Sequence, residues 1–226
     1  MMQVVPDLLT PAELAEARLL LAQAQWRDGK LTAGSQAAIV KNNQQLPEDA
    51  AELPVLRHLV LNALHRSALF FTSALPSRIL PPFFNRYSGE TNYYGAHVDN
   101  AMRMLPDGGG YVRADISATL FLSDPDEYEG GELMIEDTYA SHALKLSAGS
   151  LVVYPSSSVH QVTAVSKGQR MACFMFIQSM VRDPGKRRLL YDMDMSLMQL
   201  RHSVGETEQV VHLTGVYHNL LRRWAE

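Results

Sequence analysis

Between residues 78 and 180 the chain changes character, and that change restricts its fold more than any other feature. Short runs rich in β-branched and aromatic residues follow one another: FFNRYS, DISATLFLS, GELMIED, SLVVYP, VHQVTAV and MACFMFIQSM. Turn-forming residues separate them at Ser88-Gly89, Asp107 to Gly110, Asp124 to Gly131, Ala148-Gly149 and Ser166 to Gly168. Many short strands with such punctuation predict a sandwich, barrel or jelly roll. The flanks read differently. Thr10-Pro11-Ala12-Glu13 has the pattern of a capping box with proline at the first helical position, and Leu14, Ala17, Leu21 and Ala24 follow at helical spacing. A polar stretch from Gly29 to Asp49 precedes a second helix, expected over 54–72 with Leu56, Leu59, Val60, Ala63 and Leu64 facing inward. Beyond Arg182 an apolar pattern runs through Leu189, Leu190, Met193, Leu197 and Leu200, and a last helix is expected over 210–224. Arg222 and Arg223 fall in its final turn, where positive charge suits the helix dipole. The expected organisation is one α+β unit: an N-terminal helical region (1–77), a β-core (78–180) and a C-terminal helical extension (181–226).

Charge and cysteine content narrow the function classes. With 20 Lys and Arg against 24 Asp and Glu, the net charge of −4 argues against bulk nucleic-acid binding, which needs clustered cations to displace phosphate counterions. Cys173 is the single cysteine and lies in an apolar run, so a reduced, packing thiol is expected. No apolar stretch reaches the roughly 20 residues that span a bilayer, and the N-terminus lacks the basic-then-apolar pattern of a secretory signal. A cytoplasmic protein with no membrane partner is the expectation.

His97-Val98-Asp99 is the first chemical anchor. In an extended segment residues i and i+2 point to one side, so an imidazole and a carboxylate converge. Alone, such a triplet is as well read as a structural pair in a turn. His160, after SLVVYPSSSV and at the head of the next strand, supplies a third ligand. Two imidazoles and one carboxylate form the facial triad associated with non-haem Fe(II) sites, leaving three metal positions open for a chelating co-substrate and dioxygen. Arg170 follows ten residues later. A guanidinium inside a β-core needs an anion, either a distal carboxylate of the co-substrate or a structural partner such as Asp115 or Glu132.

This order of HxD, distant His and Arg resembles the Fe(II)/2-oxoglutarate dioxygenase superfamily. More narrowly, FNRYSGETNYYGAHVDNA, ISATLFLSDPDEYEGGELMIEDTY, LVVYPSSSVHQVTAVSKGQRMACFMFIQS and LTGVYHNLLRRWAE resemble the bacterial PKHD-type hydroxylases, relatives of prolyl and lysyl hydroxylases. The resemblance implies a double-stranded β-helix (jelly-roll) core, with His97, Asp99 and His160 as iron ligands and Arg170 on the remote carboxylate of 2-oxoglutarate. It also implies that Tyr87 lies against the co-substrate; packing is the alternative reading. Related halogenases replace the ligand carboxylate with a small residue, so Asp99 favours hydroxylation. The implied cofactors are Fe(II), 2-oxoglutarate and O2, with L-ascorbate returning ferric iron to its active state. The substrate class implied is peptidyl or small-molecule, and some relatives are tied to iron homeostasis. Tyr154 and Asn85 are further candidate donors around the metal. Gly130-Gly131-Glu132 reads as a tight turn entering a strand, and Met102 to Gly110 either as a gating loop or as a plain connection. The amphipathic C-terminal helices offer a dimer surface. Two rival classes remain: a non-catalytic sensor binding iron and 2-oxoglutarate, and a cupin-type metalloprotein, against which the lack of an HxH pair and the presence of Arg170 count.

Overall fold

A computed structural model of the chain describes residues 1–32, 35–105 and 108–226. The capping box closes as the sequence predicts. Thr10 Oγ1 accepts from the Glu13 amide at 3.3 Å, and Glu13 Oε2 accepts from the Thr10 amide at 2.8 Å. Helix Pro11–Gln23 therefore starts with its end amides satisfied and buries Ala17 and Leu21. In place of one helix over 54–72 there are two, Leu53–Arg66 and Ala68–Ala74. Ser67 is the break: its backbone is extended and its hydroxyl accepts from the Phe70 amide at 3.2 Å, which caps a new helix. Apolar spacing continues across that break, so periodicity does not reveal it.

Two antiparallel sheets form the core. The larger, eight-stranded sheet contains Leu151–Pro155, Ile116–Phe121, Arg170–Ser179 and Phe83–Tyr87 as consecutive neighbours. Gln3–Val5 extends it beyond Leu151–Pro155, and Pro76–Ile79 pairs with Arg170–Ser179. The smaller, five-stranded sheet runs Ser141–Leu144, Leu133–Glu136, His160–Val162, Tyr93–His97 and Lys41–Asn42. VHQVTAV divides between two sheets, since Val165–Gly168 pairs instead with Tyr128–Gly130.

Period-two alternation gives the large sheet two different faces. Phe84, Ile116, Ala118, Leu120, Leu151, Val153, Cys173, Met175 and Ile177 join the N-terminal helices in one apolar cluster. Tyr87, Phe121, Val152 and Tyr154 belong instead to a cluster with Leu133, Ile135 and Val162 of the small sheet. Helices Pro184–Val204 and Glu208–Trp224 pack through Leu190, Leu197 and Tyr217 onto Leu75 and Val181. Leu189, expected in the apolar pattern, is exposed. Among the described residues, no helix is long and apolar enough to cross a membrane.

Gly130 and Gly131 form the tight turn predicted before Glu132, both with positive φ. A Cβ on Gly130 would lie 2.1 Å from the Ala164 carbonyl oxygen, where no side-chain adjustment can relieve it. Gly130→Ala should therefore cost about 3 kcal/mol or more of unfolding free energy. The midpoint of urea denaturation, compared with wild type, measures this.

Candidate metal centre

The strand Tyr93–His97 pairs antiparallel with His160–Val162, and the register sets His97 directly opposite His160. Their rings lie 4.3 Å apart between centroids. Each imidazole is oriented by the carbonyl two residues before it. His97 Nδ1 donates to Gly95 O at 2.8 Å, and His160 Nδ1 donates to Ser158 O at 3.1 Å. A carbonyl can only accept, so the proton of each neutral ring sits on Nδ1 and leaves the Nε2 lone pair available to a metal. Asp99 lies just past the end of its strand. Its Oδ2 accepts from Ser117 Oγ at 2.6 Å and stands 3.6 Å from His160 Nε2. Ser117 is in turn bonded to Ser156 Oγ at 2.7 Å. One ligand atom from each of His97, Asp99 and His160 falls within 4.8 Å of the other two, an arrangement that can hold a metal ion.

Burial and neighbours set the charge state. Desolvation, reinforced by the adjacent His160, holds His97 well below the ordinary imidazole range, at about 4. The ring is thus neutral near pH 7, as a metal ligand must be. Tyr94 stacks on it, with centroids 3.7 Å apart.

Arg170 opens its strand, as expected, and is only 1% exposed. Its guanidinium lies 5.2 Å from the ring centroids of both Tyr87 and Phe121. Nε and Nη2 are buried without a hydrogen-bond partner. The structural ion pairs that might have satisfied it are engaged elsewhere: Asp115 pairs with Arg113 at 2.8 Å, and Glu132 accepts from the Thr163 hydroxyl. Tyr87 is buried beside Arg170, with its hydroxyl accepting from Asn85 Nδ2 at 3.3 Å. Burial pushes the Tyr87 phenol up, while the Arg170 charge opposes that shift. Tyr154 packs edge-on to His160, with centroids 5.2 Å apart. A buried cation with unpaired N–H groups calls for an anion. Arg170 and the three ligand side chains line the same cavity, so the donor set and the orphaned guanidinium fit a metal together with a dicarboxylate.

Sequence reasoning did not single out several cavity residues, among them Lys41, Tyr94, Arg103 and Ser117. Ser117 was accessible in principle, because Ser117 and Thr119 interrupt one face of an otherwise apolar alternation. Lys41 and Arg103 carry no local signal. Arg103 comes from the strand Met102–Met104, which pairs with Tyr111–Arg113. The segment Met102 to Gly110, read either as a gating loop or as a plain connection, includes Pro106 and Asp107, which lie outside the described residues.

The low His97 value has a stability consequence. It lies below the ordinary 6.5, so protons favour the unfolded state of the metal-free chain as pH falls. Stability should be unaffected by this group above 6.5 and lost as pH drops from there toward 4. The slope is at most about 1.4 kcal/mol per pH unit. Urea midpoints in chelator across this range should fall less steeply for His97→Asn than for wild type; equal slopes would assign the effect to other groups.

Comparison with known proteins agrees with this geometry. Residues 82–178 match the 2OG-Fe(II) oxygenase superfamily, and residues 185–226 match the PKHD-type hydroxylase C-terminal domain. A PKHD-type hydroxylase of Nitrosomonas eutropha is 68% identical, and one of Azoarcus sp. 64% identical, each over 100% of both chains. Among solved structures, a prolyl-4-hydroxylase of Pseudomonas putida gives a TM-score of 0.51 at 18% identity, covering 78% of this chain and 92% of that one. A prolyl hydroxylase of Trichoplax adhaerens, bound to a hypoxia inducible factor peptide fragment, gives 0.54 at 15% identity over 84% of this chain and 86% of its own. HygX of Streptomyces hygroscopicus, with nickel, 2-oxoglutarate and hygromycin B bound, gives 0.51 at 13% identity over 80% and 84%. At these identities the structures share the fold, a jelly-roll core. The chain is an oxygenase and belongs to the PKHD-type hydroxylases of the 2OG-Fe(II) oxygenase superfamily.

Proposed function

We propose that His97, Asp99 and His160 hold Fe(II), that Arg170 binds the remote carboxylate of 2-oxoglutarate, and that the protein hydroxylates a peptidyl or small-molecule substrate. The observation that carries the reading is Arg170. A guanidinium this deeply buried, with Nε and Nη2 unpartnered in a side chain that lines the cavity of the triad, is explained by a carboxylate delivered with the co-substrate. Tyr87 walls that subsite and limits water around the ion pair. When bound, iron and 2-oxoglutarate supply with dioxygen an oxidative decarboxylation to succinate and carbon dioxide, with the second oxygen atom entering a substrate C–H bond. The chain's own part is to present two neutral imidazoles and one carboxylate in fixed directions. The Nδ1–carbonyl bonds and the Ser117 hydroxyl hold those directions without needing metal. Asp99 fills the position whose loss would free a site for halide, which favours hydroxylation. Ascorbate is the reductant expected to restore ferric protein. Leu189, Met198, Val211, Leu213 and Val216 are exposed on the two closing helices, which supports self-association through that layer.

A non-catalytic sensor would carry the same site, but an oxygenase family membership favours turnover. Anaerobic incubation with Fe(II), 2-oxoglutarate and a pool of metabolites and peptides, followed by oxygen, is the test. Succinate and a product heavier by one oxygen atom are expected, both absent with Asp99→Ala. Arg170→Leu should raise the KM for 2-oxoglutarate about 100-fold or more, since one partner of a buried charge pair is removed. Unchanged KM in a folded variant would place the co-substrate elsewhere.

A further inference from the structure

Among the described residues, cationic side chains line the cavity at two separate places. Among the described residues that line it, Asp99 is the one carboxylate, beside three cations: Lys41, Arg103 and Arg170. On the reading above, on which this inference rests, the divalent metal and Arg170 balance Asp99 and the dianionic co-substrate. Among the described residues Arg103 is then left without a carboxylate at hydrogen-bond distance, while Lys41 donates to Gln45 Oε1 at 3.0 Å and adds its positive charge to the same wall. Burial lowers the Lys41 ammonium only to about 8, so it is charged at neutral pH.

These two cations also lie away from Arg170. From the strand Arg170–Ser179, Arg170, Phe174, Met175 and Phe176 line the cavity. Arg103 lies over the Phe176 ring, 4.0 Å from its centroid, and Lys41 Nζ lies 5.8 Å from that of Phe174. Phe176 is six positions beyond Arg170, about 20 Å of strand, and Phe174 four, about 13 Å, both more than a five-carbon diacid spans. Arg103 Nε is buried without a hydrogen-bond partner, and Nη2 makes a long ion pair with Asp99 Oδ1 at 3.9 Å, beyond hydrogen-bond distance. The surface between the two cations is aromatic: Phe83 stacks on Phe174 at 5.2 Å, and Phe174 meets Phe176 edge-on at 6.0 Å.

We infer that this end of the cavity is the substrate subsite, and that it takes a molecule with an apolar, ring-sized body and a carboxylate, the carboxylate bound by Arg103 with Lys41 reinforcing it. Arg103 recognises the anion directly, and the phenylalanine wall receives the body beside the metal.

The test uses full-length protein loaded with Ni(II) as an oxygen-inert metal and saturated with 2-oxoglutarate. Calorimetry then measures binding of aryl-alkanoic acids with one to three methylenes and of their primary amides. At least one acid should bind about tenfold or more tightly than its amide. Arg103→Gln should abolish that preference and Arg103→Lys should restore part of it, while affinity for 2-oxoglutarate changes less than the acid's. Lys41→Gln should weaken the acid more modestly; because Lys41 is buried, the Arg103 pair carries the decision if this variant is unstable. Acids and amides binding alike, or none binding, overturns the inference. So does an Arg103→Gln variant whose main loss is 2-oxoglutarate, which would assign Arg103 to the co-substrate. Failure of wild-type protein to bind 2-oxoglutarate, with acid preference intact, would instead sink the proposed function and leave the anion subsite standing.

Discussion

His97 and His160 stand 63 positions apart in the chain and face each other because two short strands pair in one register. A slip of one residue would turn every side chain on either strand to the opposite face, so the register itself brings the candidate ligands together. It is pinned by neighbours on both sides. His160–Val162 is held by Leu133–Glu136, and Tyr93–His97 by Lys41–Asn42. The large sheet supplies the remainder: Ser117 reaches across the cavity to fix Asp99, and Arg170 closes the far end. The chemistry of the site is therefore a property of two sheets meeting at a fixed spacing, more than of any single loop.

Orientation of the ligands costs little chain. Both imidazoles are held by a carbonyl two residues earlier in their own segment, so each strand carries its ligand already turned. Low dielectric around His97 keeps it unprotonated, and that same environment makes the unpaired nitrogens of Arg170 costly. A charged group tolerated in this state marks where binding energy is to be gained. The contrast with Cys173 is instructive: it is just as buried, its thiol pushed up by desolvation, yet neutral and without demand.

Much of this was legible in the sequence because it is written locally. Thr10 and Glu13 lie three residues apart, and both halves of their capping box can be read from that spacing. The triad and Arg170 could be named because their residue types are rare together inside strand-forming runs. Three kinds of feature stayed hidden. The break at Ser67 lies in an apolar period that continues through it. The two strands made from VHQVTAV part only because different neighbours compete for their edges. Lys41 arrives from a polar segment with no period, and it lines the cavity only because Lys41–Asn42 pairs with Tyr93 and Tyr94. Contacts of that kind depend on sheet assembly, which a single sequence does not spell out.

The two-faced sheet also sorts the residues by vulnerability. Cys173, the only thiol in the chain, sits on the helix-packed face of the same strand whose other face presents Arg170, Phe174 and Phe176 to the cavity of the candidate metal centre. A layer of backbone and closely packed side chains stands between sulfur and oxidant. Met102 and Met104, by contrast, are exposed on either side of Arg103. A reactive species escaping in that direction would meet thioethers, whose oxidation can be enzymatically reversed, before it met the thiol. The sheet is thus a partition that keeps the enzyme's own interior out of reach of what it makes.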